Sequence, residues 1–236
     1  SKKFQIADAL LGLGNGLLIT MWILEYTPGH LHTLLFCLLG LAGVFVCQLL
    51  KKQAQFKNLF FIYLTLSLVY LATATSMAFD GPALVIAFAF EALALTFLSS
   101  ERAKNYGLCQ LSSLTYAAPL LLSLDYFYND YPYQLSLFNE SFFVLLTIAI
   151  STYCASQIIP KLKPKKAPYP ISSIALFAIA AIYAYRFIWL LNESLFSAYS
   201  MAKAASLTLY TLIGLGSIYY GTKHNSCKHK YLGKIT

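Results

Sequence analysis

The chain has 236 residues, 58% of them hydrophobic and only 11% charged, with a formal charge of +8. Soluble domains average about 45–50% apolar and 25% charged, so a globular cytoplasmic domain is a poor fit. The basic excess lies between apolar blocks of about twenty residues, where it sets membrane topology; nucleic-acid binding is therefore excluded.

In chain order, the apolar blocks predict eight spans near residues 5–25, 31–50, 57–78, 82–98, 107–124, 139–159, 171–191 and 199–220. The fold expected is all-α: one polytopic integral membrane helix bundle over 1–236, built from antiparallel hairpins. Transmembrane strands would give short alternating segments, and the sequence has none. Lys2-Lys3 before an apolar run resembles a signal sequence, but the run is too long and contains Asp8 and Asn15, so it reads as the first span. The sequence starts at Ser1 and reads as part of a longer chain.

The cations test the count. Lys2, Lys3, Lys51, Lys52, Lys57, Arg102, Lys104, Lys161, Lys163, Lys165, Lys166, Lys223, Lys228, Lys230 and Lys234 all fall on one side of an eight-span layout. Only Arg186 and Lys203 do not, and the other side holds Glu25, Asp80, Asp125, Asp130, Glu140 and Glu193. The positive-inside rule then places both termini in the cytoplasm.

Thr27-Pro28-Gly29 and Asp80-Gly81-Pro82 predict tight turns that make spans 1–2 and 3–4 antiparallel neighbours. Pro160, Pro164, Pro168 and Pro170, interleaved with lysines, predict a stiff linker between spans six and seven. Phe138-Asn139-Glu140-Ser141 and Leu191-Asn192-Glu193-Ser194 echo one another, as do Lys104-Asn105-Tyr106-Gly107 and Lys230-Tyr231-Leu232-Gly233. The echo suggests duplicated hairpins and a ninth span beginning near Tyr231. The cysteines, Cys37, Cys47, Cys109, Cys154 and Cys227, form no CxxC pair and no metal-ligand spacing with histidine, so free thiols are expected.

Glu91 is the most informative polar residue, a lone carboxylate near the middle of the span from Pro82 to Leu98. At helical spacing it shares a face with Leu84, Ala87, Ala94 and Leu98, and the small alanines predict that this face turns into the bundle. There it either locks helices together or serves as a substrate or proton site. Arg186, flanked by Tyr183, Tyr185 and Trp189, reads as an anion binder about 6–8 Å inside the outer boundary. Lys203 lies at similar depth, and snorkelling to headgroups is its simpler role. Glu91, Arg186 and Lys203 together suggest one outward-facing pocket.

Asn15, in Gly12-Leu13-Gly14-Asn15-Gly16, predicts close helix packing with one interhelical hydrogen bond. The tyrosine-rich joint from Tyr126 to Tyr133 reads first as an interfacial belt and second as a stacking platform. Asp125, Asp130, Glu140 and Glu193 are weak candidates on the outer face. His30 and His32 beside Glu25 are too sparse for a metal site, and no P-loop, GxSxG, HExxH or dinucleotide fingerprint is present, so neither metal nor cofactor is expected.

Three runs resemble the multi-spanning bacterial membrane proteins of domain-of-unknown-function family 2339: Phe88-Ala89-Phe90-Glu91 after a short Asp-Gly turn, Phe138 to Phe143, and Leu209 to Gly233. Phe88 stands where that family usually has Trp. The resemblance spans most of residues 57–236 and implies a bacterial inner-membrane helical protein with no established reaction. The leading expectation is a non-enzymatic envelope component, embedded in the lipid bilayer, that binds partner subunits or a lipid-like or anionic ligand. A transporter coupled to protons or ions through Glu91 comes second. A membrane enzyme on lipid-linked substrates, using Asp125, Asp130 and Glu140, comes third.

Overall fold

The computed structural model describes residues 2–50, 57–101, 106–128, 139–162, 170–196 and 198–223. Among them there are helices and no strand. The helices are α1 (Lys2–Tyr26), α2 (Gly29–Leu50), α3 (Lys57–Ala78), α4 (Gly81–Glu101), α5 (Tyr106–Ser112), α6 (Ala117–Leu122), α7 (Leu124–Tyr128), α8 (Glu140–Ile158), α9 (Ile171–Leu195) and α10 (Tyr199–Lys223). Short 3-10 turns cover Ser113–Tyr116 and Ile159–Leu162. The chain divides into two compact units, Ser1–Asp80 and Gly81–Thr236.

Among the described residues five helices are long and apolar enough to cross a membrane: Gly29–Cys47, Gly81–Glu101, Glu140–Leu162, Ile171–Leu195 and Tyr199–Lys223. Leu10–Tyr26 and Tyr63–Ala78 are shorter apolar stretches. Large side chains such as Leu17, Trp22, Leu121, Ile171, Leu212 and Tyr219 stand outward and exposed. A soluble monomer rarely exposes that much contiguous apolar surface, whereas lipid-facing helices require it. The chain is built as an all-helical integral membrane protein.

In the first unit, α1 ends where Thr27, Pro28 and Gly29 turn the chain. The Thr27 hydroxyl donates to the Ile23 carbonyl at 2.6 Å, and the Leu31 amide donates to the Pro28 carbonyl at 2.8 Å. The turn is as expected, but the dominant pairing is not α1 with α2. The closest packing joins α2 to α3, antiparallel, and α1 rests chiefly on α3. Small residues decide this rather than loop length. A β-carbon added to Gly43 would overlap the Ser67 hydroxyl and lie 3.2 Å from its β-carbon, so the two helices approach almost to backbone contact. Ile23, Phe36, Tyr70 and Ala74 form the core of this unit, with the Phe36 and Tyr70 rings stacked at 5.9 Å.

In the second unit, Gly81 adopts φ +56°, a left-handed turn conformation that a side chain would strain, and so permits the sharp entry into α4. α8 is the central helix: half of its span is buried, against 28% for α4 and α9 and 17% for α10. Asn139 caps it, its side-chain oxygen accepting from the Phe142 amide at 2.8 Å. Val85 and Ala89 of α4, Val144, Leu145 and Ile148 of α8, and Tyr183 of α9 meet in one apolar cluster.

The fifth predicted span is not a continuous helix. Over residues 106–128 it breaks into α5, a 3-10 turn, α6 and α7. Pro119, fully buried in the first turn of α6, has no amide to donate to the Thr115 carbonyl, and its ring would crowd that carbonyl in an unbroken helix. Ser112, Ser113 and Thr115 all donate to carbonyls three residues back, at 2.8, 2.6 and 2.6 Å, a pattern that competes with the regular helical ladder. The sequence echo also divides in role. Asn139 starts a helix, whereas Asn192 lies inside α9, which runs on to Leu195, and donates to Ser206 of α10 at 2.9 Å.

Gly43→Ala should therefore lower thermal stability in detergent by about 1–3 kcal/mol through overpacking. Adding Ser67→Ala, which removes the nearer of the two clashing atoms, should recover part of that loss in the same melting assay.

Candidate functional site

The polar groups of the second unit gather along the broken segment and at the α9–α10 hairpin. From the broken segment, the Ser112 hydroxyl oxygen lies 3.2 Å from the Thr96 hydroxyl oxygen of α4, and Tyr116 donates to the Ser151 carbonyl of α8 at 3.0 Å. The Ser123 and Tyr183 hydroxyls share a 2.6 Å hydrogen bond that ties the α6–α7 junction to α9. One turn further along α9, the Arg186 Nε donates to the Phe127 carbonyl at 3.0 Å. That carbonyl belongs to the last turn of α7, where a helix has no amide of its own to offer. Arg186 thus supplies a donor that the five-residue helix lacks.

On its other side, α9 meets α10. Tyr210 donates to the Tyr185 carbonyl at 2.7 Å, with the two rings edge-on at 4.8 Å. The Trp189 indole donates to Glu193 at 2.7 Å and sits 6.2 Å, edge-on, from Tyr199. Arg186 and Glu193 both lie close enough to Tyr210 for their charges to bear on its hydroxyl.

The residues singled out from sequence occupy different settings. Arg186 is half-buried, as its flanking aromatics suggested. Because α9 extends to Leu195 rather than 191, Arg186 lies about 14 Å from the helix end, deeper than expected. Lys203 is exposed, about 6 Å from the start of α10. Glu91 is half-buried and about 15 Å along α4. Its face differs from the expectation. The buried stripe of α4 is Val85, Ala89, Ala92, Thr96 and Ser100, while Ala94 and Leu98 are exposed. At about 100° per residue, Glu91 stands roughly 140° around the helix from that stripe. The alanines beside the carboxylate suggested an inward face, but the hydroxyls of Thr96 and Ser100 had the stronger claim to it.

Asn15 is exposed, and the interhelical hydrogen bond at its level comes from Tyr70, whose hydroxyl donates to the Gly16 carbonyl at 2.9 Å. Asp125, in the first turn of α7, and Glu140, opening α8, are both exposed. Glu193 is half-buried and held by Trp189. Asp130, the rest of the tyrosine-rich joint from 129 onward, the Lys104–Asn105 half of one echo, Tyr231 and Cys227 lie outside the described residues. His32 contacts the Thr27 carbonyl at 2.9 Å, a turn contact, while His30 is exposed. Among the described residues no disulfide forms, and no group of three or more His, Cys, Asp or Glu is placed to hold a metal ion.

Two apolar grooves open on this unit. One, of about 430 Å³, lies among α8, α9 and α10 over a floor of Ala149, Ala180, Ala181 and Ala184, with Tyr185 and Ser217 on its walls. By helical phase Arg186 points to the opposite side of α9, about 180° away, so the guanidinium does not head this groove. The other, of about 450 Å³, is lined by Phe90, Leu93, Ala94, Phe97, Cys154 and Ile158.

The sequence reading missed the hydroxyl seam of Ser112, Tyr116 and Ser123. Its signal was present: Pro119 inside an apolar block dense in Ser and Thr. The geometry defines an integral membrane protein whose polar side chains mainly tie helices together. Compared with known proteins, the chain matches no family model, no curated protein and no solved structure.

The Ser123–Tyr183 bond is measurable. A cycle of Ser123→Ala, Tyr183→Phe and the double variant should give a coupling of about 0.6 kcal/mol, the mean for hydrogen bonds within membranes. Arg186→Met should cost more, about 1–3 kcal/mol, because it strands the part-buried Phe127 carbonyl. Unfolding of the variants in detergent or bicelles tests both.

Proposed function

We propose that the chain is a non-enzymatic component of a bacterial inner membrane, both ends cytoplasmic, that binds partner subunits or a lipid-like ligand at the α9–α10 end. The family resemblance noted above fits the same reading. The observation that carries it is how the polar groups are used. Ser112, Tyr116, Ser123, Tyr183, Asn192, Tyr210 and one nitrogen of Arg186 all have partners on neighbouring segments of the same unit. A bundle closed in this way suits a stable platform. Binding then falls to the side chains left at the helix ends.

A transporter is the second reading, favoured by the broken fifth segment. Discontinuous helices free backbone carbonyls at membrane depth, and many secondary transporters use them for ions. Glu91 would be the coupling acid. The two readings diverge in proteoliposomes. A platform should show no proton flux above empty vesicles under an imposed pH gradient read by an internal pH dye. Flux that Glu91→Gln abolishes would establish the transporter instead. For the platform, gentle extraction from native membranes should bring down the same partner chains with wild type and with Glu91→Gln.

Topology is tested separately. In a cysteine-free background, Tyr199→Cys should react with an impermeant maleimide added outside intact cells, and Lys161→Cys only after lysis. The reverse pattern would overturn the assigned orientation.

A further inference from the structure

The α9–α10 hairpin carries a compact set of groups that the helix-tying network does not use up. Trp189 and Glu193 stand one turn apart on α9, and Tyr199 and Lys203 one turn apart on α10. The Trp189–Tyr199 ring contact at 6.2 Å brings the two pairs together. Three residues separate Leu195 from Tyr199, and Asn192 with Ser206 and Tyr185 with Tyr210 fix the antiparallel register. In that register Lys203 falls opposite the Glu193 level of α9. Yet among the described residues no ion pair joins Lys203 to Glu193, and the ammonium is exposed. Tyr199 is 53% exposed, so one face of its ring is open.

We propose that Trp189, Glu193, Tyr199 and Lys203 form a binding site for a zwitterionic phospholipid headgroup of the phosphatidylethanolamine type. The proposal deepens the ligand-binding side of the proposed function and rests on it.

Depth comes first. Lys203 and Tyr199 lie within about 6 Å of the helix end, and Trp189 about 9 Å from its own, the level where indole and phenol rings meet headgroups. Charge comes second. Lys203 offers three N–H donors to a phosphate, and a phosphate is the anion available at that depth. Glu193 then decides between lipids. One of its oxygens accepts the indole N–H, which orients the carboxylate and leaves the second oxygen to accept from a cation. An ethanolamine ammonium can donate there while lying against the open Tyr199 ring. A glycerol headgroup brings no cation, and its net negative charge would face the carboxylate unbalanced. Arg186, the other cation in this half of the hairpin, has its Nε held by the Phe127 carbonyl. At the open end of the hairpin Lys203 and Glu193 are a matched pair of charges, which favours a zwitterion over an anion.

Trp22 and Trp189 are the two tryptophans of the chain, so the Trp22→Phe protein reports on this site alone. It is reconstituted in phosphatidylcholine vesicles doped with phosphatidylethanolamine or phosphatidylglycerol, each dibrominated in the upper acyl chain, at equal mole fraction. The ethanolamine lipid should quench Trp189 with a relative association constant about threefold higher, the scale of an interfacial ion pair. Glu193→Gln keeps an oxygen for the indole and removes the charge, so it should bring the two lipids level. Lys203→Met keeps the apolar stem and should weaken both. Equal quenching by the two lipids in the parent protein, or a preference that survives both variants, overturns the site. Partner chains that still copurify after such a result would leave the platform standing without it.

Discussion

Inside a bilayer no water is present to satisfy a backbone, and the fifth segment is where this chain meets that constraint. Residues 106–128 keep helical angles at their junctions but tighten into a 3-10 turn ahead of Pro119, which offers the Thr115 carbonyl no amide. Three hydroxyls and the Phe127 carbonyl of this segment find partners in three directions: Thr96 on α4, Ser151 on α8, and Tyr183 with Arg186 on α9. Irregular backbone at membrane depth is tolerated only where protein surrounds it. α8 owes its burial chiefly to α9 and α4, which meet it in the apolar cluster around Val85 and Ile148, and Arg186 ties that core to the end of α7.

α9 consequently serves two neighbours. One side, with Tyr183 and Arg186, holds the broken segment, and the other, with Tyr185, Trp189 and Asn192, holds α10. A guanidinium suits the first task because its planar donors can fix a carbonyl through Nε and still present further N–H groups.

Most of the helices were legible because hydrophobic block length is a strong signal: α2, α4, α9 and α10 differ from the expected spans by about a turn or less at their ends. α3 has the expected bounds but is a shorter apolar stretch over Tyr63–Ala78 and is not among the five helices able to span. What was not legible depended on contacts between segments. Spacing placed Ala87 and Ala94 beside Glu91 and suggested an inward face, but burial of α4 follows Thr96 and Ser100, whose partners lie elsewhere in the chain. Pro119 was a readable break hidden in an apolar run. Arg186 was singled out as an anion binder, but its partner Phe127 could not be found from sequence, since a backbone carbonyl leaves no residue signature. Asn15 points the same way, because the hydrogen bond expected of its amide belongs to Tyr70, 54 residues beyond the Gly16 carbonyl that accepts it.

The hydroxyls of α8 bear on how the protein comes to be made. Ser151, Thr152 and Ser156 each donate to a carbonyl of their own helix, so α8 can enter lipid before any neighbour has arrived. Residues 106–128 share that independence at Ser112, Ser113, Thr115 and Ser123, whose hydroxyls also donate within their own segment. The Tyr116 hydroxyl and the Phe127 carbonyl instead gain their partners from α8 and α9, which leave the ribosome afterwards.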